Sequence, residues 1–375
     1  MIIPCHNSEP TLSDTLESLR KQTFRDWEAI VVNDGATDNS VEIIRIYETK
    51  DPRFKRIDQD NKGLASARNA GLAAARGEFV NFVDADDLLL PDMLQNMVRK
   101  LRDGPSLATA YCGWTYSDAK VQDLSWVVTP RFEGQLFEKL AHGNLFPCHS
   151  VLLRRKILDH VGLFDCSLKH CHDWDLWLRV ARAGGYFGCV SKVLVIYRML
   201  PASLSRNPYS FFEAGKEVIR RGHNPDGRVR DPAGEFKQGC KCSMTEVMLE
   251  WGIRCAGFAI AQGDATQASQ LFEAVLERGD PQITPKMMGA IRNTLWFAAA
   301  VPQGNWEALW PRVSRPLLQF LLKEEERLEI PGFAMQSLVQ IIGWHKPMSG
   351  REHLSALRRK IMERVFRREK PHVAI

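Results

Sequence analysis

The first two hundred residues predict an α/β fold, in which a mostly parallel sheet carries helices on both faces. The rest of the chain predicts an α-helical region. Up to about residue 205, short apolar runs alternate with segments of helical periodicity, as in strand–helix–strand units. After a Pro-, Gly- and Arg-rich stretch, only helical periodicity remains. We therefore predict a catalytic-type domain at 1–208, a linker at 209–239, a helical domain at 240–350 and a tail at 351–375.

The first two strand–helix pairs are marked by clear local signals. The strand "IIP" is followed by Pro10, which is tolerated in the first turn of a helix. Leu12, Leu16 and Leu19 then recur at helical spacing. The apolar run "WEAIVV" predicts a second strand, and the turn cluster "NDGATDNS" leads into a second helix.

Polar clusters follow two of the predicted strands directly. Asn33 and Asp34 follow "WEAIVV", and an acidic group follows "EFVNFV", which comes after an alanine-rich helix predicted from Leu64 to Ala75. Ligands of parallel sheets bind beyond the carboxyl ends of the strands. Both clusters therefore mark a candidate binding edge.

The acidic group consists of Asp84, Asp86 and Asp87 in the stretch "VDADD". Like charges so close together need a compensating partner. No glycine-rich dinucleotide fingerprint or Walker phosphate loop accompanies them. Oxygen ligands suit Mg²⁺ or Mn²⁺, so we predict a divalent cation here. The alternative is that one aspartate caps the helix opened by Pro91.

A second carboxylate stands out in "HDWDLWLR", where Asp173 lies near the start of a predicted helix. It could cap that helix, or it could act as a general base toward a sugar hydroxyl. The spacing leaves both interpretations open.

The nine cysteines are scattered through a chain of ordinary composition, 45% hydrophobic and 25% charged. Without a recognisable export signal, we expect reduced thiols and a cytoplasmic location. The Cys/His cluster at 166–172 matches no common zinc module, and Cys240 and Cys242 are expected to be ordinary thiols.

The net charge of +5 comes from the tail, because residues 351–371 hold eight Lys or Arg against three Glu. With a neutral body and no basic stripe interleaved with aromatics, nucleic acid is not an expected partner. Leu354, Leu357, Ile361 and Val365 form an apolar stripe bordered by cations. We expect weak contact of 351–370 with an anionic membrane, the alternative being packing on the helical domain.

Six segments in order resemble the inverting family-2 glycosyltransferases, which have the GT-A fold. They are "IIPCHN", "VNDGATDNS", "NKGLASARNAG", "GEFVNFVDADD", "LFD" and "HDWDLWLR". The resemblance covers residues 1–205, and none is visible beyond residue 210.

The resemblance implies roles for particular residues. Nucleotide-sugar binding is implied for Pro4, Asn7, Asp34, Asn61, Gly63, Arg68, Asn69 and Asp84. Within that set, Asp34 matches the aspartate that contacts the uracil and ribose side of the donor. Asp84 and Asp86 match the pair that holds the divalent ion, Mn²⁺ or Mg²⁺, and the donor sugar. Asp173 matches the catalytic base of an inverting transfer.

Three departures from the family pattern are visible. The first strand starts at Met1, His172 stands where a glutamate is usual, and Leu200 stands where many members have a histidine near the metal. The "QxxRW" signature of processive members is absent, which favours transfer of a single sugar.

The implied function is transfer from a nucleotide-sugar, UDP-linked in our prediction, to a saccharide or lipid-linked acceptor. This would serve cell-surface polysaccharide or glycoconjugate synthesis, in the cytoplasm or at the inner face of the membrane. Two alternatives remain: a non-catalytic nucleotide-sugar-binding relative, and a scaffold that acts through its helical C-terminal region.

Overall fold

A computed structural model provides the structure of the protein. It describes residues 1–122, 124–200, 207–276, 285–299, 301 and 306–342. The chain divides into two compact units, one of Met1–Leu200 with Glu213–Met244 and one of Pro201–Phe212 with Thr245–Ile375. The predicted basic tail, 351–375, lies outside the described residues.

The strands among the described residues all belong to the first unit. They are β1 Ile2–Cys5, β2 Ala29–Asp34, β3 Phe54–Gln59, β4 Phe79–Asn81, β5 Leu88–Leu89, β6 Leu107–Ser117, β7 Leu124–Val128, β8 Gly134–Gln135, β9 Val151–Arg154 and β10 Tyr186–Arg198. The helices up to residue 223 are α1 Glu9–Arg20, α2 Ser40–Lys50, α3 Leu64–Ala74, α4 Met93–Asp103, α5 Phe137–His142, α6 Leu158–Val161, α7 His172–Arg182 and α8 Pro208–His223.

The first sheet is parallel, in the order β1-β2-β3. Leu12 of α1 and Ile44 of α2 pack with Val31 on one face. On the other face, Ala67 of α3 packs with Ile30. Helices therefore cover both faces of this sheet, as the apolar periodicity predicted.

The second sheet corrects the prediction of a mostly parallel arrangement. Its order is β4-β9-β6-β10-β5, with β7 beside β6 and β8 beside β10. Among the described strands of this sheet only β6 and β10 run parallel, and the other pairs are antiparallel. The sequence did not reveal the antiparallel pairing because β4, β5 and β8 are only two or three residues long, which is too short for a periodic signal.

The segment 209–239, predicted as a linker, is instead structured. It contains most of helix α8, and the residues after that helix fold back onto the first unit. The buried side chain of Arg182 donates to the backbone carbonyl oxygens of Asn224 (2.9 Å) and Phe236 (2.7 Å). The Asn, Pro and Gly residues of this segment form turns that side-chain hydrogen bonds stabilise. Such turns have the same composition as a linker, so the sequence did not distinguish the two.

The second unit is helical in its described residues, as predicted. Its helices are α9 Met244–Ala261, α10 Ala265–Glu273, α11 Pro285–Ala298, α12 Trp306–Leu328 and α13 Phe333–Ile342. Asp264 caps α10 by accepting a hydrogen bond from the backbone N–H of Gln267 (2.8 Å). None of the described helices has both the length and the apolar character needed to cross a membrane.

Candidate active site

The carboxyl-terminal ends of strands β1, β2 and β4 lie together at one edge of the first unit. β1 pairs in parallel with β2, and a parallel bridge joins Ile2 to Phe82, just before the acidic cluster. We use "acidic cluster" for Asp84, Asp86 and Asp87. The expected binding edge is therefore formed.

Asp34 organises the loop that leads into α3. Its side chain is only 3% exposed, and its carboxylate accepts from Gln59 Nε2 at 2.7 Å. It also accepts from the backbone N–H groups of Lys62 and Gly63, both at 2.9 Å. Gly63 has φ of +87°, which a residue with a side chain rarely adopts. The glycine thus allows the loop to present two N–H groups to one carboxylate.

Pro4, Asn7 and Asn61 were also predicted to bind the nucleotide-sugar, and each makes different contacts in the structure. Pro4 is buried inside β1, opposite Val32 of β2. Asn7 accepts from the backbone N–H of Thr37 at 2.7 Å. Asn61 Nδ2 lies 3.2 Å from Nε2 of His6, a residue of the "IIPCHN" motif that was not among the predicted binding residues.

Arg68 and Asp84 form an ion pair at the centre of the edge. Arg68 is only 2% exposed, and one guanidinium nitrogen donates to Asp84 Oδ1 at 2.6 Å. Burial opposes the charge of Arg68, but the neighbouring Cys148, Asp84 and Asp173 raise its pKa above the usual value. Arg68 is therefore a permanent cation beside the acidic cluster.

Asn69, predicted to contact the nucleotide, is directed elsewhere. Its Nδ2 donates to the backbone carbonyl of Phe164 at 2.9 Å, and its Oδ1 accepts from the N–H of the same residue at 3.0 Å. Both ends of the amide thus hold the "LFD" loop. Asn69 is placed to position that loop, which in turn sets the Phe164 ring 5.3 Å from the Arg68 guanidinium.

The acidic cluster does not cap the following helix. That helix, α4, begins at Met93 with Asp92 as its N-cap residue. Asp87 is buried, and its two oxygens contact the backbone N–H of Arg198 (2.9 Å) and Nδ1 of His149 (2.8 Å). The capping alternative is therefore excluded for all three aspartates.

The cluster has the donor chemistry of a cation site. Burial, then the charges of Asp87 and Asp84, raise the pKa of Asp86 well above its usual value, so its ionised form lacks compensation. Oxygen or nitrogen atoms of Asp84, Asp87 and His149 lie within 4.8 Å of one another, and Asp86 is not a member of that trio. The residues present fit a divalent cation, with more candidate ligands than the sequence indicated.

Asp173 lies in the first turn of α7, but the N-cap residue of that helix is Cys171. Its Oδ2 accepts a hydrogen bond from Asn144 Nδ2 at 3.0 Å. Burial raises the pKa of Asp173, while the Arg68 charge opposes that shift. A carboxylate with a raised pKa is a stronger base, which is what proton removal from a hydroxyl requires.

Residues 1–162 match the family described as Glycosyl transferase family 2. This part of the chain, less than half of its length, thus resembles a family-2 glycosyltransferase domain. The resemblance that the six motifs indicated is confirmed.

One relative of this chain is the uncharacterized glycosyltransferase EpsJ of Bacillus subtilis. It is 34% identical over 220 residues, which span 56% of this chain and 63% of EpsJ. The putative glycosyltransferase EpsH of the same organism is 44% identical over 107 residues, or 28% of this chain and 31% of EpsH. The chain thus spans less than two thirds of the length of these relatives.

Solved structures resemble the chain at low sequence identity. S. aureus TarS 1-349 in complex with UDP-GlcNAc has a TM-score of 0.55 and 18% identity, covering 88% of this chain and 91% of TarS 1-349. Mannosyltransferase PcManGT from Pyrobaculum calidifontis, in complex with GDP-Man and Mn²⁺, has a TM-score of 0.50 and 16% identity, covering 92% and 87%. The predicted GT-A fold is confirmed.

At position 172, where the resemblance to family-2 glycosyltransferases predicts a glutamate, the chain has His172. The side chain is 5% exposed. Burial and the Arg68 charge lower its pKa to about 4. His172 is therefore neutral at pH 7, and it adds no second negative charge beside Asp173.

Behind Asp173, α7 is anchored by charged side chains that the sequence did not single out. We call this group the aspartate–arginine network. It comprises Asp165, Asp175, Asp226, Arg179, Arg221 and Arg228. Asp175 is fully buried and accepts from Arg179 Nε, Arg221 Nη1 and Arg228 Nη2, each at 2.9 Å. The available signal was the arginine content of the stretch predicted as a linker.

Proposed function

We propose that this chain transfers a single sugar from a UDP-sugar to an acceptor hydroxyl, with inversion at the anomeric carbon and with Mn²⁺ or Mg²⁺ bound. The observation that carries the proposal is the shared environment of three side chains. Asp84 is paired with Arg68, and both influence the pKa of the Asp173 carboxylate, which Asn144 orients. The donor-side pair and the proposed base are thus close enough to influence each other electrostatically.

The donor side is proposed to bind the nucleotide through the loop around Asp34. A carboxylate offers about four acceptor positions, and three of those of Asp34 are used by Gln59, Lys62 and Gly63. One remains to accept from the N3–H group of uracil. The presence of UDP-GlcNAc in the TarS structure supports a uridine nucleotide.

A divalent cation would be held by Asp84 and Asp86, with Asp87 and His149 close by as further ligands or supports. Asp86 favours this assignment, because its negative charge is the least compensated in the cluster. When bound, such a cation supplies Lewis-acid stabilisation of the leaving diphosphate. Mn²⁺ in the PcManGT structure supports the choice of ion.

Asp173 is proposed to take the proton of the acceptor hydroxyl. The acceptor oxygen then forms a bond to the anomeric carbon on the face opposite the diphosphate. The bond between that carbon and the diphosphate oxygen breaks, and its electron pair leaves with the diphosphate. The hydrogen bond from Asn144 Nδ2 holds the Asp173 carboxylate in place for this step.

The test of the proposal is Asp173→Asn, assayed with a panel of UDP-sugars, GDP-mannose and Mn²⁺. We expect turnover to fall by ~10²–10⁴, the range that a positioned base supplies. UDP affinity and melting temperature should stay near the parental values. The matched control is Asp159→Asn, an exposed carboxylate in the first turn of α6. Retained turnover in Asp173→Asn would remove Asp173 as the base, and NMR of the product reports whether configuration inverts.

The acceptor is proposed to be a saccharide or a lipid-linked saccharide, reached at the inner face of the membrane. The basic composition of 351–370 supports this location. We expect the full chain to sediment with vesicles that contain anionic lipid and to be released by salt, because screening weakens the charge attraction. Deletion of 351–375 should abolish sedimentation. Unchanged sedimentation after the deletion would rule out the tail as the contact.

A further inference from the structure

A group of metal-ligand side chains lies apart from the acidic cluster, in the same unit. His142 ends α5, His223 ends α8, and Cys240 and Cys242 follow on the segment after α8. One nitrogen or sulfur atom from each of His142, Cys240 and Cys242 lies within 4.8 Å of the others. Nε2 of His223 lies 3.1 Å from Cys242 Sγ. Four ligand side chains thus converge from three segments.

We propose that His142, His223, Cys240 and Cys242 form a structural Zn²⁺ site. Two sulfur and two nitrogen ligands in tetrahedral geometry are typical of zinc. Bonds of about 2.3 Å to sulfur and 2.0 Å to nitrogen would place the ligand atoms roughly 3.3–3.8 Å apart. Adjustments of about an ångström bring the observed trio to these separations.

The orientation of His223 supports the assignment. Its Nδ1 lies 2.8 Å from the backbone carbonyl oxygen of Ile219, which can only accept a hydrogen bond. Nδ1 therefore carries the proton, and Nε2 presents its lone pair toward Cys242 Sγ. Zinc-bound histidines are commonly oriented in this way, with the second nitrogen donating to a carbonyl.

The backbone around the cysteines is also held in place by its own contacts. Gly239 has φ of +100°, and a Cβ there would lie 2.4 Å from the carbonyl carbon of His223. This close approach lets the N–H of Cys240 donate to the carbonyl of Gly222 at 2.8 Å. The N–H of Cys242 in turn donates to Cys240 Sγ at 3.4 Å, which stabilises negative charge on that sulfur. The cysteine pair is therefore fixed against the end of α8.

The proposed site differs in chemistry from the cation site of the acidic cluster. Nitrogen and thiolate ligands select zinc, whereas carboxylates select manganese or magnesium. Each thiol releases its proton when the metal binds, so two protons leave for each zinc bound. His142 is exposed and both cysteines are half-buried, which leaves a path for the ion to enter. A zinc ion would link residues 240–242 to the ends of α5 and α8. The α5 ligand, His142, lies two residues before Asn144.

The test is the metal content of the full chain, purified without a chelator and without a histidine tag. We expect one zinc per chain by mass spectrometry, and we expect p-hydroxymercuribenzoate to release it stoichiometrically from the parent. Co²⁺ substitution should give thiolate-to-metal charge-transfer bands and the visible bands of a tetrahedral ion. Asp86→Asn, which alters the acidic cluster, should keep the zinc.

Cys240→Ser and Cys242→Ser should each lose the zinc, and Cys166→Ser, at an exposed thiol, should keep it. His223→Gln should weaken zinc affinity by at least ~10-fold, in line with losses seen when a metal's supporting groups are changed. Unchanged zinc affinity in His223→Gln would show that His223 is not the fourth ligand. A parent chain that holds no zinc and gives no tetrahedral Co²⁺ spectrum would overturn the site, as would a Cys240–Cys242 disulfide found by mass spectrometry.

Discussion

The acidic cluster and the aspartate–arginine network each bring three aspartates together, with opposite electrostatic results. In the network, every aspartate contacts at least one arginine. Burial opposes the ionisation of Asp165, but hydrogen bonds from Ser167 and Arg221 lower its pKa to about 2. In the acidic cluster, the pKa of Asp86 moves in the other direction. The network thus compensates every one of its carboxylates, whereas the acidic cluster leaves Asp86 without an ion pair among the described residues.

This contrast separates a scaffold from a binding site. Each carboxylate of the network is already matched by at least one arginine, so the network is complete in the folded chain. Arg68 pairs with Asp84 and His149 with Asp87, but the structure pairs no basic side chain with Asp86 in its described residues. A cluster left with excess negative charge is prepared for a ligand that brings positive charge.

The largest effect is expected from Asp86→Asn in the acidic cluster. Transfer should be abolished, and UDP affinity should fall in the presence of Mn²⁺ but not in its absence. The melting temperature should not fall, because the change removes a repulsive charge. Calorimetric titration of UDP with and without Mn²⁺ measures both affinities, and Asp103→Asn, at the exposed end of α4, is the control. Parental UDP affinity with Mn²⁺ would refute the role of Asp86 in cation binding.

In the network, Asp175→Asn should act on stability instead. Removing this charge leaves Arg179 and Arg221 buried or partly buried without their common partner. We expect the free energy of unfolding to drop by about 3–5 kcal/mol, the usual cost of breaking a buried ion pair. Denaturant unfolding measures the loss. Glu42→Gln, which breaks an exposed pair with Arg45, should cost less than about 0.5 kcal/mol. An equal cost for the two variants would show that the network is not a scaffold.

Sequence reasoning reached the fold and the binding edge because both depend on local patterns. The apolar runs of β1 and β2 and the polar residues after them are contiguous, so position along the chain predicts position in the sheet. Asp34 and Asp84 were selected in this way. Arg68 came from the family resemblance, and the structure brings it into direct contact with Asp84.

What the sequence did not reveal depends on contacts between distant positions. His149 meets Asp87 across 62 positions of sequence, and Arg228 meets Asp175 across 53. Asn69 could be matched to a motif, but only the fold shows that its amide holds the Phe164 backbone. Short edge strands such as β5 and β8 carry too few residues to reveal that they run antiparallel.

The smallest effect is expected from Asn144→Ala, and it refines the comparison. This variant tests what sets the pKa of Asp173, a carboxylate outside the aspartate–arginine network. Burial raises the pKa of Asp173, and the hydrogen bond from Asn144 opposes that shift by favouring the charged form. A base must be deprotonated to act, so activity is lost as pH falls through this raised pKa, above the usual range of an aspartate.

In Asn144→Ala the charged form of Asp173 loses its hydrogen-bond donor, so the pKa of Asp173 rises further. The acidic limb of kcat/KM should then move to higher pH, while the rate on the alkaline plateau changes less. The pH profiles of the parent and of Asn144→Ala measure the shift, and Asp173→Asn should lack the limb. Asn144 also accepts from the N–H of Phe146 at 3.3 Å, so melting temperatures are compared in parallel. A uniform loss of activity at every pH, with the limb unmoved, would make Asn144 a support of its loop and leave the pKa of Asp173 to burial and Arg68.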